Sequence, residues 1–448
     1  MNTNGKLIVI IGAAESGVGA AVLASKKGFE VFVSDSGIIK EEYKRFLNLH
    51  SIPYEENNHS IEKIITASEV IKSPGVPDKA ELIQKVKSAG IPVISEIEFA
   101  GRYTNAKMIG ITGTNGKTTT TMLVYHVMQK AGLKVGLAGN IGKSFALQVA
   151  EKDFDYYVLE LSSFQLDGMY DFKCDVAILT NITPDHLDRY EYKLDNYIRS
   201  KYRITQNQTE EDAFIFCDDD PLTIEHLSYI KGKAHRYPFS IKRKLEEGAW
   251  LEENHLHILT KNQTFNMLIH DLALQGKHNI YNSMAAGIAT RYLDLRKEVV
   301  RESFSDFRNV EHRLEFVASV HGIEFVNDSK ATNVNSTWYA LESFRQPVIL
   351  ILGGVDKGND YTILEELVKE KVKAIICLGK DNKKLEKAFK GLVAEFIEVS
   401  TANEAVHESY RIGKKGDVVL LSPACSSFDL FENYEDRGRQ FKKAVRNL

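Results

Sequence analysis

Residues 110–121 read GITGTNGKTTTT, and their types and spacing suit phosphate chemistry. Glycines at 110, 113 and 116 surround a lysine and a run of hydroxyl side chains. The stretch follows the apolar pair Met108-Ile109 and opens into Met122, Leu123, Val124, Val127 and Met128. That order predicts a strand, a glycine loop and a helix N-terminus. Such a loop turns backbone N–H groups and the positive end of the helix dipole toward an anion. In such a loop Lys117 would add a point charge for the β- and γ-phosphates, and the Thr118 hydroxyl a Mg²⁺ ligand. The chemistry implied is the use of a nucleoside triphosphate. One position departs from the GxxxxGK[ST] pattern, since Ile111 stands where its first glycine belongs.

Two further constellations follow apolar runs. Tyr157–Leu159 leads to Glu160 in ELSSFQL. Val176–Leu179 leads to NITPDHLDRY, with Asn181, Asp185, His186 and Asp188. Ligands of open parallel sheets bind at the carboxyl ends of strands, so both motifs belong on the edge that carries Lys117. A carboxylate and an imidazole beside a triphosphate suit Mg²⁺ coordination. Lys201, in DNYIRSKYRI, reads from the residues alone as a solvated lysine whose stem lies along an apolar helix face. Later come EHRLE (311–315), with Arg313, and NDSKATN (327–333), with Asp328 and Lys330. Arg313 suits contact with a phosphate or a base and Asp328 suits a ribose or a metal, while the plain alternative is an Asx-type turn with solvated charges. GGVDKGND (353–360) and SPACSSFDLFENYEDRG (422–438) read equally as ligand loops and as plain strand-to-helix connections.

Composition narrows the class. A chain of 448 residues exceeds a single core and predicts two to four domains. With 57 basic and 61 acidic residues the net charge is −4, which argues against nucleic acid or a membrane surface as partner. Cys174, Cys217, Cys377 and Cys425 form no CxxC pair and read as free thiols. LIVII follows the first residues without a basic-then-apolar leader, and no apolar run approaches about 18 residues. The expectation is a cytoplasmic enzyme.

Three segments must position these residues. The first has strands at Leu7–Ile11, Glu30–Ser34, Val70–Lys72 and Pro92–Ile94, with the loop GAAESGVGA after the first strand and Asp35 ending the second. This is a Rossmann-like opening, although Ala14 replaces the second fingerprint glycine. The loop reads equally as a nucleotide site and as a tight packing turn. The second segment has strands at 107–111, Val135–Leu137, Tyr156–Leu161, Asp175–Leu179 and Ala213–Cys217. Residues 234–270 predict a small antiparallel insertion. The third has strands at Ile323–Val326, Val348–Leu352, Ala374–Leu378 and Asp417–Leu421. The expected fold is α/β: three Rossmann-like or P-loop domains, at 1–97, 98–309 and 310–448, the central one a mainly parallel sheet with that insertion.

The ordered series GTNGKTTT, AGNIG, ELSSFQL, NITPDHLDRY, GKHNIYN, EHRLE, NDSKATN and SPACSSFDLFENYEDRG resembles the Mur ligase superfamily, the ATP-dependent amide-forming enzymes of peptidoglycan synthesis. The first glycine loop and SPGV extend the resemblance over nearly the whole chain. ELSSFQL, NDSKATN and the last motif look like the branch that adds D-glutamate to UDP-N-acetylmuramoyl-L-alanine. The alanine-adding branch has HGKTTT where this chain has Asn115, and the DNP motif of the diaminopimelate-adding branch is not found.

The resemblance implies a three-domain ligase, monomeric, using ATP and two Mg²⁺ ions through an acyl-phosphate intermediate. It implies Lys117, Glu160, His186 and Lys201 as catalytic groups. Gly113, Thr114, Asn115, Gly116, Lys117, Thr118 and Thr119 would cradle ATP, with Asn282, Arg313 and Asp328. Thr118 and Glu160 would bind one Mg²⁺, His186 and a carbamylated Lys201 the second. Ser16, Gly17, Asp35, Ser36, Ser73, Gly75 and Asn140 would contact the UDP substrate. Lys330, Thr332, Lys357, Ser427, Phe428 and Tyr434 would surround D-glutamate. Two departures stand out. Glu15 in GAAESG would repel a diphosphate, and Ser36-Gly37 replace a basic residue after Asp35. The rival readings are another amino-acid ligase of the superfamily, a folylpolyglutamate synthetase-like ligase, and an NAD-dependent protein using the first loop alone. The last leaves GKT, Glu160 and His186 unexplained.

Overall fold

Buried runs such as VILIL and AFIFC have apolar residues on both faces, as strands do when helices cover each side of a sheet. In the computed structural model, which describes residues 5–261, 263–307 and 311–448, these runs organise three sheets. The first holds β1 (Leu7–Ile11), β2 (Glu30–Ser34), β3 (Tyr54–Glu55), β4 (Glu69–Lys72) and β5 (Val93–Ile94). Its order is β3-β2-β1-β4-β5, parallel throughout.

The second sheet holds β6 (Lys107–Thr112), β7 (Val135–Gly139), β8 (Tyr156–Glu160), β9 (Val176–Leu179), β10 (Ala213–Cys217), β11 (His235–Ser240), β12 (Gly248–Glu252), β13 (His255–Thr260) and β14 (Gln263–Leu268). Its order is β14-β13-β12-β11-β10-β9-β6-β8-β7. Within residues 234–270 the expected antiparallel strands are present, joined by one strand that was not expected. β11 runs parallel to β10, and only β12, β13 and β14 form an antiparallel meander. All of them extend the one sheet. β13 alternates buried and half-buried positions, the pattern of a strand covered on one face, whereas β10 is buried throughout.

The third sheet holds β15 (Glu315–Val320), β16 (Ile323–Asn327), β17 (Val348–Leu352), β18 (Val372–Leu378), β19 (Glu395–Val399) and β20 (Val418–Leu421), in the order β15-β16-β20-β17-β18-β19. The edge strands β15 and β19 were not expected from sequence, because their faces are only partly buried and carry polar residues. Alternate residues of β17 enter two separate cores: Val348, Leu350 and Leu352 on one face, Ile349 and Ile351 on the other. Each such side chain contributes about 1.5–3 kcal/mol on full burial.

The chain divides into two compact units, one ending at Phe307 with the first two sheets, the other holding the third. The expected boundary at 97/98 falls inside the short helix Glu96–Gly101. The expected boundary at 309/310 lies outside the described residues. Among the described residues no helix is long and apolar enough to cross a membrane.

Candidate functional site

Register places the site on the first unit. Ile111 of β6 pairs with Glu160 of β8, Glu160 pairs with Gly139 of β7, and Thr112 pairs with Leu179 of β9. The loops after β6, β7, β8 and β9 therefore leave one carboxyl edge together. Ile111 is itself a strand residue, so the departure from the glycine pattern has a simple reason: the turn begins two residues later. The helix Lys117–Lys130 starts at Gly116, which has φ +82° and would place a Cβ 2.4 Å from Asn282 Oδ1. Glycine is required there on both counts.

The loop is braced from several sides. Thr114 Oγ1 donates to the Thr183 carbonyl at 3.0 Å and accepts the Thr183 N–H at 2.9 Å. Asn181 Oδ1 accepts the Asn115 N–H at 3.0 Å. Asn282, buried, accepts from Thr120 Oγ1 at 3.2 Å. Lys117 Nζ donates to the carbonyls of Gly113 and Thr114, both at 2.9 Å. Thr118 and Thr119 are buried in the first turn of the helix.

Lys201 overturns the reading of a solvated side chain. It is 2% exposed, on the inward face of the helix Leu194–Tyr202. Its Nζ donates to the Gly113 carbonyl at 2.8 Å and to Thr112 Oγ1 at 3.3 Å. Burial, and then the neighbouring Lys117, push its pKa well below the ordinary lysine value, against the opposing pull of Asp185 and Glu160.

Glu160 is 1% exposed. Its Oε1 accepts from Asn140 Nδ2 at 2.8 Å, and its carbonyl accepts the Asn140 N–H at 2.8 Å. Its Oε2 is buried without a hydrogen-bond partner. A buried carboxylate oxygen without a donor is costly unless a cation takes that place, so the donor set fits a divalent metal. His186 has a left-handed backbone, φ +51°, fastened by its N–H to Asp185 Oδ1 at 2.9 Å. Its ring meets Phe164 of the ELSSFQL segment edge-on at 5.2 Å. Positive φ at a non-glycine residue stores strain of the kind found at functional sites.

On the first sheet, Ile11 pairs with Ser34 and Lys72, so the glycine loop, Asp35 and Ser73 are level. Both Asp35 oxygens are engaged, by the N–H of Ala13 at 2.7 Å and of Gly37 at 2.8 Å. Ser73 Oγ donates to the Gly12 carbonyl at 3.1 Å. Ser16 and Gly17 lie in the first turn of the helix Glu15–Lys26. Ser36 is exposed, and Gly75 faces open space. Glu15 does not stand idle beside this loop: its carboxylate accepts the Ser144 N–H at 3.2 Å.

The second unit assembles its own edge. Asn327 of β16 and Ile351 of β17 both pair with Leu421 of β20, bringing NDSK, GGVDKG and SPACSS together. Asp328 is buried and accepts from Ser422 Oγ at 2.9 Å and from the Leu314 N–H at 3.2 Å. Burial raises it to about 6, with Arg313 opposing. Lys330 lies over the Tyr434 ring at 5.1 Å, and the Thr332 N–H donates to the Lys330 carbonyl at 3.0 Å. Ser427 is buried, while Lys357 and Phe428 are exposed, Phe428 by 72%.

Arg437 escaped the sequence reading. It is 1% exposed and donates to the Ser329 hydroxyl and carbonyl, both at 2.9 Å, to Gly353 O at 3.4 Å and to Cys425 O at 3.2 Å. One guanidinium ties three loops. In ENYEDRG it is one charge among five polar neighbours and resembles a solvated helix face. Glu311, His312 and Glu315 also converge, but Lys442 bonds Glu311 at 2.5 Å and Glu315 at 2.8 Å, which supplies their cation.

The Mur ligase middle domain matches residues 111–290, the glutamate ligase domain of Mur ligases matches 312–425, and the MurD N-terminal domain matches 8–82. The chain is 58% identical over 444 residues to the UDP-N-acetylmuramoylalanine–D-glutamate ligase of Bacteroides fragilis, covering 99% of this chain and 100% of that one. The protein of the same name from Bacteroides thetaiotaomicron matches with the same identity and coverage. Among solved structures, a pseudomurein peptide ligase type C from Methanothermus fervidus has a TM-score of 0.62 at 20% identity, covering 99% of this chain and 100% of that chain. That last likeness is one of fold.

Proposed function

The chain belongs to the Mur ligase family, and from that membership we infer that it is the ATP-dependent ligase joining D-glutamate to UDP-N-acetylmuramoyl-L-alanine in peptidoglycan precursor synthesis. The observation in the site that carries this reading is Glu160: a buried carboxylate, level with the phosphate loop, with one oxygen left for a cation. The folate-ligase and NAD-dependent alternatives are not favoured beside relatives at 58% identity that bear the D-glutamate ligase name.

A carboxylate is a poor electrophile. Transfer of the γ-phosphoryl group to the alanyl carboxylate of the UDP substrate turns one carboxylate oxygen into a leaving group and releases ADP. The amine of D-glutamate then attacks the acyl carbon, and phosphate departs. Two anions must approach in the first step, so positive charge and oriented N–H groups lower the barrier. Gly113 to Thr119 offer that cradle, with Lys117 as its point charge and Asn282 bracing it. Thr118 and Glu160 would hold one Mg²⁺, and His186 and Lys201 a second. Bound there, Mg²⁺ would neutralise the phosphate oxygens. We place a carbamate on Lys201: its lowered pKa favours the neutral amine, the form that adds CO₂ and loses a proton to become an oxygen ligand.

Ser16, Gly17, Asp35, Ser36, Ser73, Gly75 and Asn140 are assigned to the UDP substrate. On the second unit, Arg313 and Asp328 are assigned to ATP, and Lys330, Thr332, Lys357, Ser427, Phe428 and Tyr434 to D-glutamate. We take the functional domains as 1–97, 98–309 and 310–448, the working form as a monomer, and the place of reaction as the cytoplasm, where ATP and nucleotide sugars are available. The test is phosphate release from ATP with UDP-N-acetylmuramoyl-L-alanine, comparing D-glutamate, L-glutamate and D-aspartate. Release with D-glutamate alone is expected. Equal release with all three, or with none, rejects the assignment.

A further inference from the structure

The junction of the first two sheets is closed by side chains that the reaction scheme does not use. Glu15 opens the helix Glu15–Lys26, directly after the first glycine loop. Its carboxylate accepts the backbone N–H of Ser144 at 3.2 Å. Glu96 opens the helix Glu96–Gly101 and is 3% exposed. Its carboxylate accepts from Ser144 Oγ at 2.5 Å and from the Ala146 N–H at 2.8 Å. Ser144 is thus held from both sides, and its Oγ also accepts the Leu147 N–H at 3.2 Å. Gly19 permits the approach, since a Cβ there would lie 1.9 Å from Ser144 Oγ.

Ser144 ends the loop that carries Asn140. A parallel bridge between Ala138 and Lys143 closes that loop on itself. A shift at Ser144 is therefore passed to Asn140, which bonds Glu160 through both its side chain and its backbone. The arrangement also accounts for an acid beside a proposed diphosphate site. Glu15 gives one carboxylate oxygen to the Ser144 N–H, which is a structural use for an acid at this position.

We propose that Ser144, gripped by Glu15 and Glu96, is a positioning residue that seats Asn140 on Glu160 and so ties UDP-substrate binding on the first sheet to cation binding on the second. The inference rests on the ligase reading above. Its test uses the full-length protein and the variants Ser144→Ala, Glu96→Ala and Glu96→Gln, assayed by phosphate release with ATP, UDP-N-acetylmuramoyl-L-alanine and D-glutamate across a Mg²⁺ titration. Loss of the bond to Glu96, together with the Oγ cap on the Leu147 N–H, in Ser144→Ala should raise half-saturating Mg²⁺ and the KM for the UDP substrate about five- to tenfold. The KM for D-glutamate, assigned to the second unit, should stay within about twofold, a split that general loosening does not produce. Glu96→Ala should behave like Ser144→Ala, and Glu96→Gln, which keeps the acceptor oxygen, should restore wild-type values. Should Glu96→Ala fail to fold, Ser144→Ala and Glu96→Gln decide the matter. A folded Ser144→Ala protein with both constants unmoved, or with all three moving together, overturns this inference alone. A wild-type protein that releases no phosphate overturns the ligase reading instead.

Discussion

Lys117 and Lys201 share one acceptor: the Gly113 carbonyl receives the first at 2.9 Å and the second at 2.8 Å. Two amines drawn onto one buried oxygen repel each other when both are charged. Lys201 is buried, and burial together with the neighbouring Lys117 lowers its pKa well below the ordinary lysine value. The lowered pKa favours the neutral amine at Lys201, the form suited to modification.

Lys117→Ala should abolish ligation and leave the fold intact. Losing a charge at the transferring phosphoryl group costs on the order of 3 kcal/mol or more in the barrier. Phosphate-release rates and a thermal melt together check this. Near-normal turnover in a folded variant would remove Lys117 from the phosphate site.

Lys201→Ala should lose most activity, and a short-chain carboxylate such as acetate should restore part of it by supplying the missing oxygen ligand. Rescue should be absent in Lys117→Ala. Mass spectrometry of the native protein at raised bicarbonate should show a gain of one CO₂ that the variant lacks. Full activity in Lys201→Ala without added carboxylate would return the residue to a packing role.

Glu96 should make stability pH-dependent. Burial raises its pKa from 4.5 to about 7 in the folded protein. Between those values the folded state holds a proton that the unfolded state has released, so the stability Glu96 contributes falls as pH rises through that window. Glu96→Gln removes the titration. The variant should gain on wild type between pH 4.5 and 8 by on the order of 3 kcal/mol, read from denaturant melts at both ends. A difference independent of pH would contradict the raised pKa.

Arg437→Ala should leave the carbonyls of Ser329, Gly353 and Cys425 without their donor, at a cost on the order of 3 kcal/mol in the stability of the second unit. Arg437→Lys should not repair it, because a single ammonium lacks the planar fork that reaches all three loops. The KM for D-glutamate should rise in both variants while the KM for the UDP substrate holds. Wild-type melting and kinetics in Arg437→Lys would show that the guanidinium is dispensable.

Much of this was legible in the chain itself. Runs buried on both faces, such as Val348–Leu352, announce their strands because no polar residue interrupts them. Glu160 and His186 could be placed on one edge because each follows such a run, and strand direction then sets where it points. The phosphate loop is local chemistry, complete within a dozen residues. What only the tertiary structure decided depends on partners far away in sequence. Lys201 looks like a solvated lysine until the Gly113 carbonyl, 88 residues distant, draws it inward. Arg437 looks like part of a charged helix face until Ser329, 108 residues away, accepts its guanidinium. Glu15 has no partner legible in its own segment, and the Ser144 N–H that its carboxylate accepts lies 129 residues on. β11 joins the parallel sheet through pairing with β10, which no pattern internal to 234–270 contains. Periodicity reports which face of an element is apolar. A polar side chain is buried when a distant element supplies its hydrogen-bond partner, and that is settled only when the sheets and loops are brought together.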